Sequence, residues 1–162
     1  MIKSWWYKGD GNNFGDVLNP ILLYHMTSKS IIFSQEAGSF VAIGSVAYYN
    51  FSNYMTIWGS GAISKNVQSR LIKDHNFLAV RGPKTREKII RSGGTCPEVY
   101  GDPALLLPVI FEKEKFLTPE TSRVSFLPHW IDYNIAKNMK SVLNKEVNLI
   151  DIRGNVFNTI KE

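Results

Sequence analysis

The chain has a single cysteine, Cys96, in 162 residues. That excludes an internal disulfide and any cluster of several thiolates around a metal, and it fits a reducing compartment. Long hydrophobic runs are also missing. No apolar stretch approaches the roughly 20 residues of a membrane span. The opening "MIKSWWYKGDG" lacks the apolar core of a secretory signal, so the expected location is the cytoplasm. There is no block of lysine and arginine: 19 basic residues stand among 14 acidic ones, for a formal charge of +5. That modest excess suits an anionic small molecule or a glycan and does not call for nucleic acid. Three familiar motifs are absent as well. "GDGNNFGD" (9–16) starts like a dinucleotide fingerprint but does not reach G-x-G-x-x-G. No phosphate loop with Gly-Lys-Ser/Thr occurs, and neither "IGSVAYYN" nor "WGSGAI" completes G-x-S-x-G. No His/Asp/Glu spacing suggests a metal site, and no metal or other cofactor is expected.

What is present is an ordinary globular composition, 44% hydrophobic and 20% charged, in an alternating pattern. Short apolar runs at 4–8, 30–34, 39–45, 54–61, 77–82 and 98–102 are β-branched or aromatic and bounded by Gly, Asp or Ser, which predicts strands. Helical patterns lie between some of them. Residues 16–28 have Asp16 as N-cap and require Pro20 in the first turn; 64–75 start at a serine cap; 83–94 open on Pro83 and stop at Gly93-Gly94. Strand and helix in alternation predict an α/β fold with a doubly wound, mainly parallel sheet. The texture changes after "GDPALLLP" (101–108). Residues 109–123 are charged and aperiodic and read as a linker. From 124 the rhythm restarts, with a strand at 124–129, a helix at 132–146 and a strand at 147–152. The expected organisation is a first domain over 1–108 and the start of a second over 124–162.

Open α/β sheets bind ligands at the carboxyl ends of their strands, where helix N-termini converge. "AVRGPKTR" (79–86) delivers Arg81 to such an end, followed by a helix whose first free N–H groups face the same way. An arginine fork there is a phosphate or carboxylate site, with Lys84 and Arg86 adding positive field; equally, Arg81 could pair with a buried acid. The loop at 9–20 lets backbone approach a ligand, which marks Asn13, Gly15 and Asp16, although Asp16 alone reads as a helix cap. Ser45, Ser60 and Gly61 sit in tight turns that line the same sheet edge. Asp102 before Pro103 reads as an N-cap, with a base role secondary. His129 ends the first strand beyond the linker and is placed for acid/base or anion contact, or for a purely structural bond. His25 and His75 are assigned to structure.

Six stretches in order, "NFGDVLNPILL" (13–23), "AIGSV" (42–46), "IWGSGAI" (57–63), "AVRGPKTREKI" (79–89), "YGDPALLLP" (100–108) and "LPHWIDY" (127–133), resemble the polysaccharide pyruvyl transferase family. The resemblance implies a GT-B-like enzyme with its site between two Rossmann-like halves. The donor would be phosphoenolpyruvate and the acceptor a sugar of a bacterial exopolysaccharide, capsule or cell-wall polymer, which receives pyruvate as a ketal. It makes Arg81 the leading functional residue, with the 13–16 loop and the Gly-Ser turns lining the cleft. The family's Ser-Ser-Leu-His-Gly-like motif is not in this sequence, so a truncated second domain is expected. Two other readings follow: an inactive remnant or a subunit that needs a separate C-terminal half, and a GT-B-like glycosyltransferase; the expected protein partner is that separately encoded half or a second copy in a homo-oligomer.

Overall fold

The computed structural model describes residues 1–9, 13–63, 72–111, 124–143 and 147–153. Five parallel strands form the main sheet: β1 (Ile2–Ser4), β2 (Ile31–Phe33), β3 (Phe40–Val41), β4 (Thr56–Trp58) and β5 (Asn76–Ala79), in the spatial order β2-β1-β3-β4-β5. A parallel bridge from Val80 to Tyr100 extends this sheet beyond β5. The helices are α1 (Phe14–Thr27), α2 (Pro83–Arg91), α3 (Leu107–Ile110) and α4 (Tyr133–Leu143). Strands β6 (Ser125–Phe126) and β7 (Asn148–Leu149) pair in parallel around α4 as a separate two-stranded sheet. The protein is thus α/β with a mostly parallel sheet.

Consecutive residues of a strand point to opposite faces, and here they feed two cores. Val41 and Ile57 join Trp5, Tyr48, Phe77 and Ile89 of α2 in one cluster. Their neighbours Ala42 and Trp58 pack with Leu18 and Leu22 of α1 in the other. Helices therefore cover both faces. Leu18 and Leu22 are fully buried, each stabilising the fold by about 2 kcal/mol.

Several elements differ in extent from the sequence reading. The strands are shorter than expected: just past β3 the Asn19 side chain takes both the N–H and the C=O of Ile43, and Gly59, at φ 83°, follows β4 directly. The stretch at 98–102 contributes only the Tyr100 bridge. The first strand lies at Ile2–Ser4 rather than 4–8. Trp5 makes one further bond, its N–H to Phe40 O at 2.7 Å, and then its ring turns into the core against Phe51. Helix α1 begins two residues earlier than expected, with Asn13 as N-cap, so Asp16 lies in the first turn and does not cap it. Pro20 consequently sits inside the helix. It has no N–H to offer Asp16 O, and the Asn19 side chain supplies a donor instead, at 3.1 Å. The linker expected from 109 begins later than its first residues, since α3 continues through Ile110; residues 112–123 lie outside the described ones. So does most of the helix expected at 64–75, of which 72–75 form a turn. Among the described residues no helix is long and apolar enough to cross a membrane.

Candidate functional site

β1 leads through α1 to β2 on one side of the sheet, while β3 lies on the other side of β1. Connections leave the β1 and β3 ends in opposite directions, which opens a crevice there. A cleft of about 780 Å³ occupies that position. The segment after β1 contributes Tyr7, Gly9, Asn13, Gly15 and Asp16, and the segment after β3 contributes Ile43, Gly44, Ser45, Tyr49 and Asn50. Arg81 comes from the end of β5, and His129, Trp130 and Arg153 from the β6–α4–β7 unit. The two sheets are tied at this point, where Phe14 N–H donates to Ile152 O at 3.0 Å.

Arg81 makes the acid pairing considered from sequence and still faces the cleft. Its Nε pairs with an Asp102 carboxylate oxygen at 3.0 Å, and its Nη1 donates to Ser45 Oγ at 2.9 Å. The side chain keeps 38% of its surface exposed, at the cleft. An acid fixes the guanidinium and leaves it accessible, so little further ordering would be needed for it to meet an anion. Asp102 also caps the turn Pro103–Leu106, accepting from Ala104 N–H at 3.0 Å. Gly61 lies beneath the guanidinium: a Cβ there would stand 3.2 Å from Arg81 Cζ.

Ser60 is fully buried and serves the loop above it. Its hydroxyl donates to Gly44 O at 2.8 Å and accepts from Val46 N–H at 3.2 Å, which fixes the turn that presents Ser45. Ser60, Gly61 and Asp102 thus stand behind the cleft. Lys84 and Arg86 do not line it either. Lys84 is exposed, and Arg86 is held by Cys96 O at 3.0 Å and Glu98 at 3.2 Å. Cys96 is buried, and burial pushes its thiol up, so it stays a neutral packing group.

Asp16 is half-buried in the cleft. Burial pushes its carboxyl above the usual carboxylate range, and a hydrogen bond with Asn13 pulls it partly back. Gly44, opposite, has its Cβ position 3.7 Å from Asp16 Oδ1, so the absence of a side chain leaves the carboxyl open. His129 caps the turn Trp130–Asp132, its Nδ1 accepting from Ile131 N–H at 3.4 Å. That bond assigns the neutral ring's proton to Nε2. His75, by contrast, is buried at the far side of the sheet; its Nδ1 accepts from Met55 N–H, and burial lowers its pKa.

Several contributors escaped the sequence reading, among them Tyr7, Tyr49 and Arg153. Tyr7 and Tyr49 form an aromatic wall, their ring centroids 6.5 Å apart. Gly9 folds over the Tyr7 ring so closely that a Cβ would lie 2.2 Å from it. Asp151 grips Arg153 with two bonds of 2.9 Å, to Nε and Nη2, and the Arg153 guanidinium lies 4.1 Å over the Tyr133 ring. The Arg153 bonds hold the Asp151 carboxyl below the ordinary range. A signal for it existed: "LAVRG" (78–82) and "IDIRG" (150–154) both end an apolar run in Arg-Gly. Among the described residues no group of three His, Cys, Asp or Glu is arranged to hold a metal. Comparison with protein-family models, with curated proteins and with solved structures finds no match to this chain.

Proposed function

We propose that the protein binds phosphoenolpyruvate in this cleft and takes part in transferring its pyruvyl group to two hydroxyls of a glycan, as a ketal. The observation that carries this reading is Arg81, held by Asp102 and Ser45 yet open to a cleft that also contains Asp16 and His129. Several of the six motifs that resemble polysaccharide pyruvyl transferases supply lining of this cleft: "NFGD" and "AIGSV" form the crevice, "AVRGP" brings Arg81, and "LPHW" brings His129. In this reading the two parallel sheets belong to two Rossmann-like halves of a GT-B-like enzyme.

The reaction needs an acid, a base and a cationic hold on the leaving group. A proton from an acid in the cleft adds to the methylene carbon and makes it a methyl. The cationic centre at C2 takes the oxygen of one sugar hydroxyl. The second hydroxyl oxygen bonds to C2 as the C2–O bond to phosphate breaks. Of the two hydroxyl protons released, one restores the acid and the other leaves with the phosphate. Asp16, with its raised pKa, is suited to carry the proton, and the Nε2–H of His129 to donate a hydrogen bond to the departing phosphate. Arg81 stabilises the departing phosphate.

Calorimetric titration of phosphoenolpyruvate into the wild type and Arg81→Ala tests the reading. Loss of a charge-assisted arginine contact predicts about tenfold weaker binding or more. Equal affinity in the two proteins would remove Arg81 from the site.

A second reading, that catalysis needs a further polypeptide, has one observation in its favour. Phe126, Leu127, Ile131, Ile135 and Met139, in and beside β6 and α4, are all at least half exposed. Apolar surface of that kind marks an interface.

A further inference from the structure

Arg153 is a cation that neither the motif reading nor the proposed chemistry has used. It lines the same cleft as Arg81 but arrives from the other sheet. Its fixation follows the same plan. Asp102 holds Arg81 through Nε, and Asp151 holds Arg153 through Nε and Nη2. The Tyr133 ring supports the Arg153 guanidinium from one face. The hydrogen bond from Phe14 N–H to Ile152 O places the residue before Arg153 against the first turn of α1, next to Asn13 and Asp16. The Nη1 group of Arg153 has no hydrogen-bond partner among the described residues. An arginine fixed at its base, backed by an aromatic ring and exposed to a cleft loses little entropy on binding an anion.

We infer that Arg153 is a second anion-binding residue of this cleft, taking the carboxylate of the donor while Arg81 takes its phosphate. The inference rests on phosphoenolpyruvate as donor. That molecule carries both anions on one carbon, and a single arginine cannot fix its orientation, whereas two from different segments of the lining do. Arg81 is assigned the phosphate because it stands beside the N-terminus of α2. Two fixed arginines also explain how a small ligand would be oriented in a cleft of about 780 Å³, which leaves room for a sugar beside it.

The test compares phosphoenolpyruvate with inorganic phosphate as probes, titrated calorimetrically into the full chain as wild type, Arg81→Lys and Arg153→Lys. Lysine keeps the charge and removes the fork. The expected result for Arg153→Lys is about tenfold weaker binding of phosphoenolpyruvate with phosphate affinity unchanged. Arg81→Lys is expected to weaken both. An Arg153→Lys protein that still prefers phosphoenolpyruvate to phosphate by the wild-type ratio overturns the inference and leaves the donor reading standing. A wild type that binds phosphoenolpyruvate no better than phosphate removes the donor reading, and the carboxylate assignment with it. Phenylglyoxal labelling of the wild type, read by mass spectrometry, needs no variant to fold. Phosphoenolpyruvate should protect both arginines and phosphate only Arg81; an Arg153 labelled equally with and without phosphoenolpyruvate overturns the assignment.

Discussion

Asp16 is held in an environment with opposing effects. The first turn of α1 favours a carboxylate through the helix N-terminus. Burial in the cleft disfavours it more strongly, and the net displacement of its pKa is upward. A carboxyl whose folded pKa is raised contributes stability that is complete below its unfolded pKa and is lost as pH rises through the folded value. Asp16→Asn removes that cost. Its melting temperature at pH 7 should therefore exceed that of the wild type, and the gap should close as the pH falls to the ordinary carboxyl range. Pyruvyl transfer, followed as phosphate release, should meanwhile fall by about 10²- to 10⁴-fold if this carboxyl carries the proton. A variant that is more stable and still turns over at the wild-type rate would leave Asp16 without a catalytic role. At this scale the sequence was informative about residue types and less so about their work. Arg81 was legible because charge at the end of an apolar run is conspicuous. Asp16 was legible as part of a ligand loop but misread as a cap, since Asn13 competes for that position three residues earlier. Lys84 and Arg86 looked equivalent to Arg81 in charge, but Arg86 is spent on Cys96 O and Glu98, contacts that depend on where a distant loop passes.

Elements are joined at the site by buried polar groups rather than by apolar packing alone. Asn19 is fully buried in the middle of α1. Its side-chain oxygen accepts from Ile43 N–H at 2.7 Å, and its nitrogen donates to Ile43 O and Asp16 O, both at 3.1 Å. One side chain thus bonds the segment after β3 to α1 and replaces the helix bond that Pro20 cannot make. Asn19→Leu fills similar space but leaves those backbone groups unpaired in the interior. Its expected cost is about 2–4 kcal/mol in urea unfolding. A loss below about 0.5 kcal/mol would mean that water or a rearranged backbone satisfies them. The Asn-Pro pair inside an otherwise apolar helical run was visible in "DVLNPILL", and the sequence reading resolved it by putting Pro20 in the first turn. The alternation of strand and helix was legible in outline, because buried parallel strands are short apolar runs, although 98–102 contributes only a bridge at Tyr100. Their lengths were not. Where β4 stops depends on Gly59, whose Cβ position is 2.2 Å from Pro103 Cδ, a contact between segments over 40 residues apart in sequence.

At the scale of the whole molecule the open question is whether the two sheets act on one ligand. The cleft draws on both, and the Phe14–Ile152 hydrogen bond joins them at its edge. α4 meanwhile carries Ile135 and Met139, four residues apart and 61% and 52% exposed, so this face of the helix adds no buried apolar contacts to its stability. Helices of that kind open readily, and a ligand held by His129 and Arg153 at their base should suppress the opening. At a concentration 100 times its Kd, a ligand stabilises the state it binds by about 2.7 kcal/mol, equivalent to about a hundredfold slowing of exchange for amides that exchange only through that opening. Hydrogen exchange with saturating phosphoenolpyruvate should therefore slow in Tyr133–Leu143 as well as in the first turn of α1 and the segment after β3. Protection confined to α1 and the main sheet would show that the larger sheet binds the donor alone, and that His129 and Arg153 border the cleft without reaching its ligand. Protection in both would make the β6–α4–β7 unit a functional wall of the site.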